Sequence, residues 1–233
     1  MNNGLYQGAA ALRASEMRMT AISHNLANLG TAGFKRSGTA AHAFRVPATE
    51  GPRNGLRTAL AVDWSQGNLD RTGSQFDLAL MGDGLFAIDA PEGEVYTRTG
   101  RFQIDTTGVL QTSEGYPISW EERRGLIDPQ GLPIVVDGEG QVRQGENDLG
   151  RVRVVNFEDK GSLELNGEGY WRAPAGAKQV AYDAVVHQGA LERSNSTGLD
   201  EMVAMITVQR AYESATRVMS MINESYQRLT SNR

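Results

Sequence analysis

The sequence predicts an α+β protein in which N- and C-terminal helices pair as a coiled-coil layer and a central domain is antiparallel and all-β. Two observations predict this fold. Both ends of the 233-residue chain carry a seam residue every 3.5 positions, which is the repeat of helices that pair in coiled coils. Between them, short apolar runs alternate with turn residues, as is typical of antiparallel sheets.

The first helix is predicted over residues 3–29, and Asn28 and Gly30 supply its stop. Its apolar face, which we call the N-terminal seam, advances in alternating steps of three and four residues. The N-terminal seam consists of Leu5, Gly8, Leu12, Ser15, Met19, Ile22, Leu26 and Leu29. Because Gly8 and Ser15 are small, this seam would allow a partner helix to approach closely.

The last helix is predicted over residues 199–231, with a start signal at Ser196 or Thr197 and acidic residues in its first turn. Its C-terminal seam has the same alternating steps and consists of Met205, Val208, Tyr212, Ala215, Met219, Ile222, Tyr226 and Leu229. A second apolar row widens the stripe at the start of this helix and consists of Leu199, Met202, Val203 and Ile206.

The periodicity leaves two arrangements of the helices open. In one, they form an ordinary helical hairpin that packs on the protein's own β-domain. In the other, the two ends pair with each other and with copies of themselves, because each seam is too narrow to form a wide core face.

The domain boundaries follow from composition. Residues 1–36 and 188–233 are predicted as the terminal helical domain, residues 37–75 as an extended connector, and residues 76–187 as the β-rich domain.

Three strand–turn–strand units are predicted in the β-rich domain. The strands of these units are 76–80 with 85–88, 95–98 with 101–104, and 134–136 with 141–143. In the second unit, Gly100 is predicted to take the turn position that has positive φ. Residues 151–157 are predicted as the longest alternating strand.

No set of residues predicts catalysis, a cofactor or a metal site. Cysteine is absent, which excludes thiolate ligands and nucleophiles, and the three histidines are scattered. A net charge of −5 argues against nucleic-acid binding, and no apolar run is long enough to span a membrane. We therefore expect no enzyme, no small-molecule substrate and no membrane insertion.

Two stretches closely resemble signatures of bacterial flagellar rod and hook proteins, the axial family of the flagellum. The first stretch contributes Asn25, Leu26, Ala27, Asn28, Thr31, Gly33, Phe34 and Lys35, followed by Arg36. The second contributes Glu201, Met202, Gln209, Arg210, Tyr212 and Glu213. Segments 66–69, 76–86, 96–102 and 188–195 match further motifs of the same family in the same order.

This resemblance implies a structural subunit of the basal-body rod, which polymerises axially into the drive shaft that transmits torque from motor to hook. It implies that the terminal helices line an inner tube and that the β-domain forms an outer layer. The implied partners are the protein itself, other rod proteins and the flagellar type III export apparatus. Export from the cytoplasm into the periplasm-spanning rod would need no cleaved signal peptide.

The resemblance also indicates a subtype. Only residues 37–65 separate Arg36 from Gln66, which favours the proximal-rod type, with the distal-rod type or another axial subunit as the alternative. A more distant alternative is a soluble β-domain that binds partners. That function requires a large exposed aromatic cluster, and Tyr170 and Trp171 are the only adjacent aromatic pair, for which packing is the favoured interpretation.

Overall fold

The two predicted terminal helices are present in a computed structural model of the protein, which describes residues 2–45, 54–167 and 169–231. Helix α1 spans Asn2–Ala27 and helix α2 spans Gly198–Ser231. The strands between them pair antiparallel. The predicted α+β class is confirmed, whereas supercoiling of the two helices remains a prediction.

The chain divides into two compact units. The first, which we call the helical unit, comprises Met1–Leu29, Arg36–Asp63 and Ser196–Arg233. The second, which we call the β-unit, comprises Gly30–Lys35 and Trp64–Asn195.

The helical unit contains a hairpin as well as the two helices. Strands β1 (Ser37–Arg45) and β2 (Asn54–Val62) pair antiparallel, and Asp63 N donates a hydrogen bond of 2.8 Å to Arg36 O where the hairpin begins. This differs from the extended connector predicted over residues 37–75. The sequence of the hairpin shows little alternation of apolar and polar residues. Periodicity therefore could not predict that these two strands pair through their backbones.

The β-unit is built from sixteen short strands among the described residues. They are β3 (Leu69–Arg71), β4 (Leu78–Met81), β5 (Leu85–Ala90), β6 (Gly93–Thr97), β7 (Gln103–Ile104), β8 (Leu110–Gln111), β9 (Trp120–Arg123), β10 (Ile134–Val136), β11 (Gln141–Gln144), β12 (Asn147–Val152), β13 (Val154–Phe157), β14 (Glu164–Leu165), β15 (Tyr170–Arg172), β16 (Gln179–Val180), β17 (Val185–Gln188) and β18 (Ala190–Glu192).

Two larger sheets enclose the apolar core of the β-unit. One has the strand order β14-β15-β6-β5-β13-β16 and the other has the order β10-β11-β12-β9. The pairs β17-β4, β18-β3 and β7-β8 complete the unit. The largest side chains that are fully buried in the core are Leu78, Leu80, Phe86, Ile88, Leu110 and Ile118.

Local turn signals located the strands better than they located the strand partners. The third predicted unit is confirmed, because β10 pairs with β11. The hairpin predicted at 95–98 and 101–104 is wrong, since β6 pairs with β5 and β15 while β7 pairs with β8. The strand predicted over 151–157 is divided between β12 and β13, which lie in different sheets.

Gly100 is required for a reason other than the predicted turn. Its φ is not positive, but a Cβ at this position would lie 1.5 Å from Leu78 O. Leu78 N also donates a hydrogen bond of 2.9 Å to Gly100 O, which holds the two backbone segments together. The close approach of backbone to backbone leaves no space for a side chain.

We predict that Gly100→Ala lowers the free energy of unfolding by about 1–3 kcal/mol, because the added methyl group must displace buried backbone. Urea unfolding curves of the full chain measure this difference. Gly30→Ala is the matched control, since a Cβ there meets nothing within 4 Å, and its effect should stay within about 0.5 kcal/mol. Equal stabilities for the two variants would contradict the steric argument.

Candidate assembly site

Burial along α2 follows the C-terminal seam. Between residues 205 and 222 the side chains at seam positions are buried or half-buried, and every side chain between them is exposed. The buried or half-buried positions are Met205, Val208, Tyr212, Ala215, Met219 and Ile222. The side chains of Leu5, Tyr226 and Leu229, which the sequence also places in the seams, lie outside the described ones.

Along α1 the buried stripe is broader. Each described position of the N-terminal seam is buried or half-buried, and so are neighbours such as Ala14, Met17 and Ala21. The described positions are Gly8, Leu12, Ser15, Met19, Ile22, Leu26 and Leu29. The two seams therefore coincide with the least exposed faces of both helices.

Three contacts define how the helices lie against each other. A Cβ on Gly8 would lie 2.3 Å from Met219 Sδ, and a Cβ on Gly198 would lie 3.2 Å from Leu29 Cδ1. Between these ends, Asn25 Nδ2 donates a hydrogen bond of 3.2 Å to Glu201 Oε1. Residue numbers rise along one helix as they fall along the other, so the helices run antiparallel, with position 12 opposite position 215.

A buried carboxylate, Glu201, lies in the first turn of α2. Its side chain is 0% exposed, and its Oε1 accepts hydrogen bonds from Arg36 Nε at 2.6 Å, Ser196 Oγ at 2.9 Å and Asn25. Hydrogen bonds to an ionised acceptor are stronger than neutral ones. Glu201 therefore joins the start of α2 to α1 and to the residue that precedes β1.

Asn25 also holds the start of β1. Its Nδ2 donates to Ser37 O at 2.8 Å, and its Oδ1 accepts from Ser37 N at 2.9 Å. Because Asn25 is 0% exposed, these bonds satisfy an amide that would otherwise be costly to bury. The resemblance assigned Asn25 to the family motif, and this geometry gives it a structural role within the helical unit.

A second buried carboxylate, Glu192, lies at the centre of the β-unit. It is 1% exposed, and its Oε1 accepts from Lys35 Nζ at 2.7 Å and from Gly67 N at 2.9 Å. Lys35 Nζ also donates to Ser65 O at 2.8 Å. A lysine that the sequence placed in a family motif thus forms a buried ion pair with a residue far along the chain.

Arg98, which directly follows β6, completes this cluster. Its Nε donates to Glu192 Oε2 at 2.7 Å, while its Nη atoms donate to the carbonyl oxygens of Leu80, Gly82 and Gly84. Gly82 and Gly84 belong to the turn between β4 and β5, as predicted from the sequence, and Leu80 lies near the end of β4. Arg98 therefore fixes this turn against β18.

Asp83 lies at the tip of the same turn and is held ionised by nearby cations. A hydrogen bond of 2.5 Å from Lys160 and the charges of Lys160, Arg98 and Lys35 lower the pKa of Asp83, against the opposing effect of burial. Asp83 thus adds a second negative charge near the two cations that pair with Glu192.

Gly33 explains why the first motif contains a glycine. Its φ is +68°, and a Cβ there would lie 2.4 Å from the carbonyl carbon of Arg98. Its amide donates a hydrogen bond of 2.7 Å to Glu192 O. The neighbouring motif residue Phe34 is buried, and Thr31 is half-buried.

The remaining motif residues are spread over α1 and α2. Leu26 and Asn28 are half-buried and Ala27 is exposed on or just beyond α1. On α2, Tyr212 is half-buried within the seam, and the exposed motif residues are Met202, Gln209, Arg210 and Glu213.

Sequence reasoning did not single out Arg98 or Glu192. Both lie inside motif segments, and each is a charged residue beside apolar strand residues, which is the signal that could have identified them. The last strand, β18, is buried at every position, so Glu192 occupies a core position despite its charge.

The aromatic pair Tyr170–Trp171 packs inside the β-unit. The Trp171 ring lies 4.8 Å from that of Trp64, and the Tyr170 ring lies 5.9 Å from that of Tyr116, measured between centroids. Both residues are buried, so the pair offers no exposed aromatic surface of the kind that a binding module requires. Packing, the favoured interpretation of this pair, is confirmed.

The second apolar row of α2 is exposed. Leu199, Met202, Val203 and Ile206 are between 51% and 75% exposed. They follow a helical spacing and so share one side of the first two turns. Within the described part of the chain, no three histidine, aspartate or glutamate residues are grouped to hold a metal ion, and neither helix has an apolar stretch that could cross a bilayer.

Paired terminal helices with an exposed apolar row, joined to a β-unit with a buried polar cluster, are typical of a structural subunit that assembles with others. Comparisons with known proteins agree. Residues 187–232 match the family described as "Flagellar basal body rod FlgEFG protein C-terminal", and residues 79–144 match "Flagellar hook protein FlgE/F/G D1 domain".

Individual relatives match over nearly the whole chain. The flagellar basal-body rod protein FlgF of Caulobacter vibrioides is 34% identical over 227 residues, which cover 94% of this chain and 93% of the relative. The rod protein FlgG of Buchnera aphidicola subsp. Schizaphis graminum is 31% identical over 97% of this chain and 98% of its own length. FlgG of Bacillus subtilis is 30% identical, with 98% of each chain covered.

The chain therefore belongs to the family of flagellar basal-body rod proteins, of the FlgF or FlgG type. This family is structural and non-enzymatic, and the chain is a structural subunit of the flagellar rod, which assembles with other proteins of the basal body.

We predict that Glu192→Gln destabilises the protein by about 3–5 kcal/mol, because it removes the buried negative charge that pairs with both Lys35 and Arg98. Urea unfolding measures the change. Glu158→Gln is the matched control, since the ion pair of Glu158 with Lys178 is exposed and contributes at most about 1 kcal/mol. If Glu192→Gln is no more harmful than Glu158→Gln, the cluster does not stabilise the β-unit as described.

Proposed function

We propose that the two seams pair within the subunit and so form the helical layer through which this rod subunit assembles. In this proposal the paired terminal helices form an inner layer of the rod and the β-unit forms the outer layer of a shaft that transmits torque from motor to hook. The observation that carries the proposal is the burial pattern of α2, in which the seam is covered by α1 while the second apolar row is left exposed.

The exposed row is the surface on which a neighbouring rod subunit would pack. Fully burying a Val, Leu, Ile or Met side chain contributes about 1.5–3 kcal/mol, so four such residues in contact with a second helix would offset much of the entropy lost on assembly. Exposed apolar residues grouped on one side of a helix are typical of interaction surfaces. Their partners would be copies of this chain and the other rod proteins.

Torque transmission requires an outer layer that resists deformation. The buried Glu192 cluster supports this role, because Arg98 joins β18 to the turn between β4 and β5 through four hydrogen bonds of fixed direction. Planar guanidinium groups hold such geometries more rigidly than single-donor contacts.

We place the chain in the proximal-rod, or FlgF, subtype, with the distal-rod, or FlgG, subtype as the alternative. The support is the short segment between Arg36 and Gln66, whose described residues form β1 and β2. The proposal includes export through the flagellar type III apparatus without a cleaved signal, which the family resemblance implies. The absence of cysteine suits a chain that must cross into an oxidising compartment.

We predict that Leu12→Asp or Ile222→Asp abolishes incorporation into the rod, because each places a charge in the covered seam, while the β-unit stays folded. Motility in soft agar and immunoblots of isolated basal bodies measure the loss. Leu12→Met and Ile222→Leu are the matched controls, since apolar substitutions of similar volume are tolerated. Normal swimming of either aspartate variant would count heavily against the seams as the assembly element.

A third variant separates assembly from helix pairing in the same assays. Val203→Asp changes a side chain that is 56% exposed, so the monomer should unfold at the same temperature as the parent protein while incorporation fails. If Val203→Asp assembles normally, the second apolar row is not the surface between subunits.

The subtype makes its own prediction. Cross-linking in isolated basal bodies, followed by mass spectrometry, should connect this chain to proximal-rod proteins at one end and to the distal rod at the other. Contacts with the hook would instead place the chain in the distal rod and would exclude the FlgF subtype.

A further inference from the structure

The seams alone do not fix which residues of α1 face which residues of α2. Both seams repeat every seven residues, and sliding one helix by seven residues, about 10 Å, brings seam positions opposite seam positions again. Apolar contact is non-directional, so alternative registers would bury similar surfaces. The hydrogen bond from Gly33 N to Glu192 O restricts how far the helices can slide, and a directional contact between the helices can then select one register.

Asn25 and Glu201 supply such a contact at one end of the helix pair. Both side chains are 0% exposed, and the hydrogen bond between them joins α1 directly to α2. Asn25 is tied to the start of β1 through Ser37, and Glu201 is tied to Arg36 and Ser196. The pair is thus fixed on both sides.

We propose that Asn25 and Glu201 act as a register lock, a buried polar pair that permits only one alignment of the two seams. This inference rests on the proposed role of the seams and names how their pairing is made specific. Buried polar residues in helix pairs are known to select alignment at some cost in stability, and replacing them with apolar residues is often neutral or stabilising.

Slipped registers break this pair in both directions. A slip of seven residues in one direction places Asn25 opposite Val208, so the Asn25 amide keeps its hydrogen bonds to Ser37 but loses the one to Glu201, whose carboxylate moves away from Asn25 and Arg36. A slip in the other direction carries Asn25 past the start of α2. It brings Arg18 toward Glu201, but it also moves Glu201 away from Arg36, because Arg36 directly precedes Ser37, which is hydrogen-bonded to Asn25 of α1. Each slip leaves a buried polar group unsatisfied, which is unfavourable.

The close approach of Gly8 to Met219 is a weaker determinant. The atom that a Cβ on residue 8 would meet is the thioether of a flexible side chain, which can move aside. We therefore assign the selection of the register to the polar pair and the close packing of the other end to Gly8.

The absence of cysteine allows a direct test of the register on the full chain. Leu12→Cys is combined in turn with Ala215→Cys, which reports the observed register, and with Val208→Cys or Ile222→Cys, which report slips of seven residues in either direction. Each pair is then oxidised in the parent protein and in an Asn25→Leu/Glu201→Leu background, and the disulfide yield is measured on non-reducing gels.

In the parent protein we expect the Leu12→Cys/Ala215→Cys pair to cross-link at least tenfold more than the two slip pairs. In the double-leucine background we expect the slip pairs to rise to yields comparable with it, at unchanged helical content by circular dichroism. Glu201→Gln is the conservative control. It retains an acceptor for Asn25 and Arg36, so it should keep the parent pattern.

Two outcomes would overturn the lock, and they can be told apart. If the double-leucine background still cross-links only the observed pair, the register is set elsewhere, and the seams can still drive assembly. If none of the three pairs cross-links in the parent protein, the helices are not paired in this way, and the proposed role of the seams fails together with the lock.

Discussion

Two buried carboxylates hold this protein together, and the cations that neutralise them include consecutive residues. Lys35 pairs with Glu192 inside the β-unit, and Arg36 pairs with Glu201 inside the helical unit. A buried charge without a partner is far more costly than a missing apolar contact. The chain passes from the β-unit to the helical unit between Lys35 and Arg36. Each of these two residues is therefore held by an ion pair within its own unit.

This constraint explains why the recognisable motifs lie where they do. Segments 33–36, 66–69, 82–86, 96–102 and 188–195 are distant in sequence, yet each contributes a side chain or a backbone group to the Glu192 cluster or lies directly beside it. The motif residues Asn25 and Glu201 meet in the same way in the helical unit. These motif segments thus mark buried polar centres, whereas the motif residues Met202, Gln209, Arg210 and Glu213 are exposed on α2.

The sequence predicted those parts of the fold that depend on local pattern. Helices α1 and α2 follow from the spacing of their seams, and the turn between β10 and β11 follows from its glycines. What it could not predict depends on contacts between distant segments, such as the pairing of β4 with β17 or of β3 with β18. The β1–β2 hairpin was missed because its many alanine, threonine and glycine residues show little apolar alternation.

For the candidate site, too, the residues identified by local pattern could be predicted, and those that depend on distant partners could not. Seam positions such as Leu12 and Ile222 could be listed from spacing, since burial on a helix is periodic. Glu192 and Arg98 could not be given a role, because a charged residue becomes a core residue only when its partner arrives from elsewhere in the chain. The resemblance identified Lys35 and Glu201 as motif residues, but it did not show that each of them forms a buried ion pair.

Apolar seams and buried polar pairs have complementary effects on an assembling subunit. The seams supply free energy that depends on area and hardly on alignment, whereas the Asn25–Glu201 pair supplies alignment at the expense of free energy. Alignment matters because the exposed row from Leu199 to Ile206 is carried on α2. A slip of seven residues would move that row by about 10 Å relative to α1. The buried polar pair beside the seams therefore contributes an alignment that an apolar pair of similar stability would not provide.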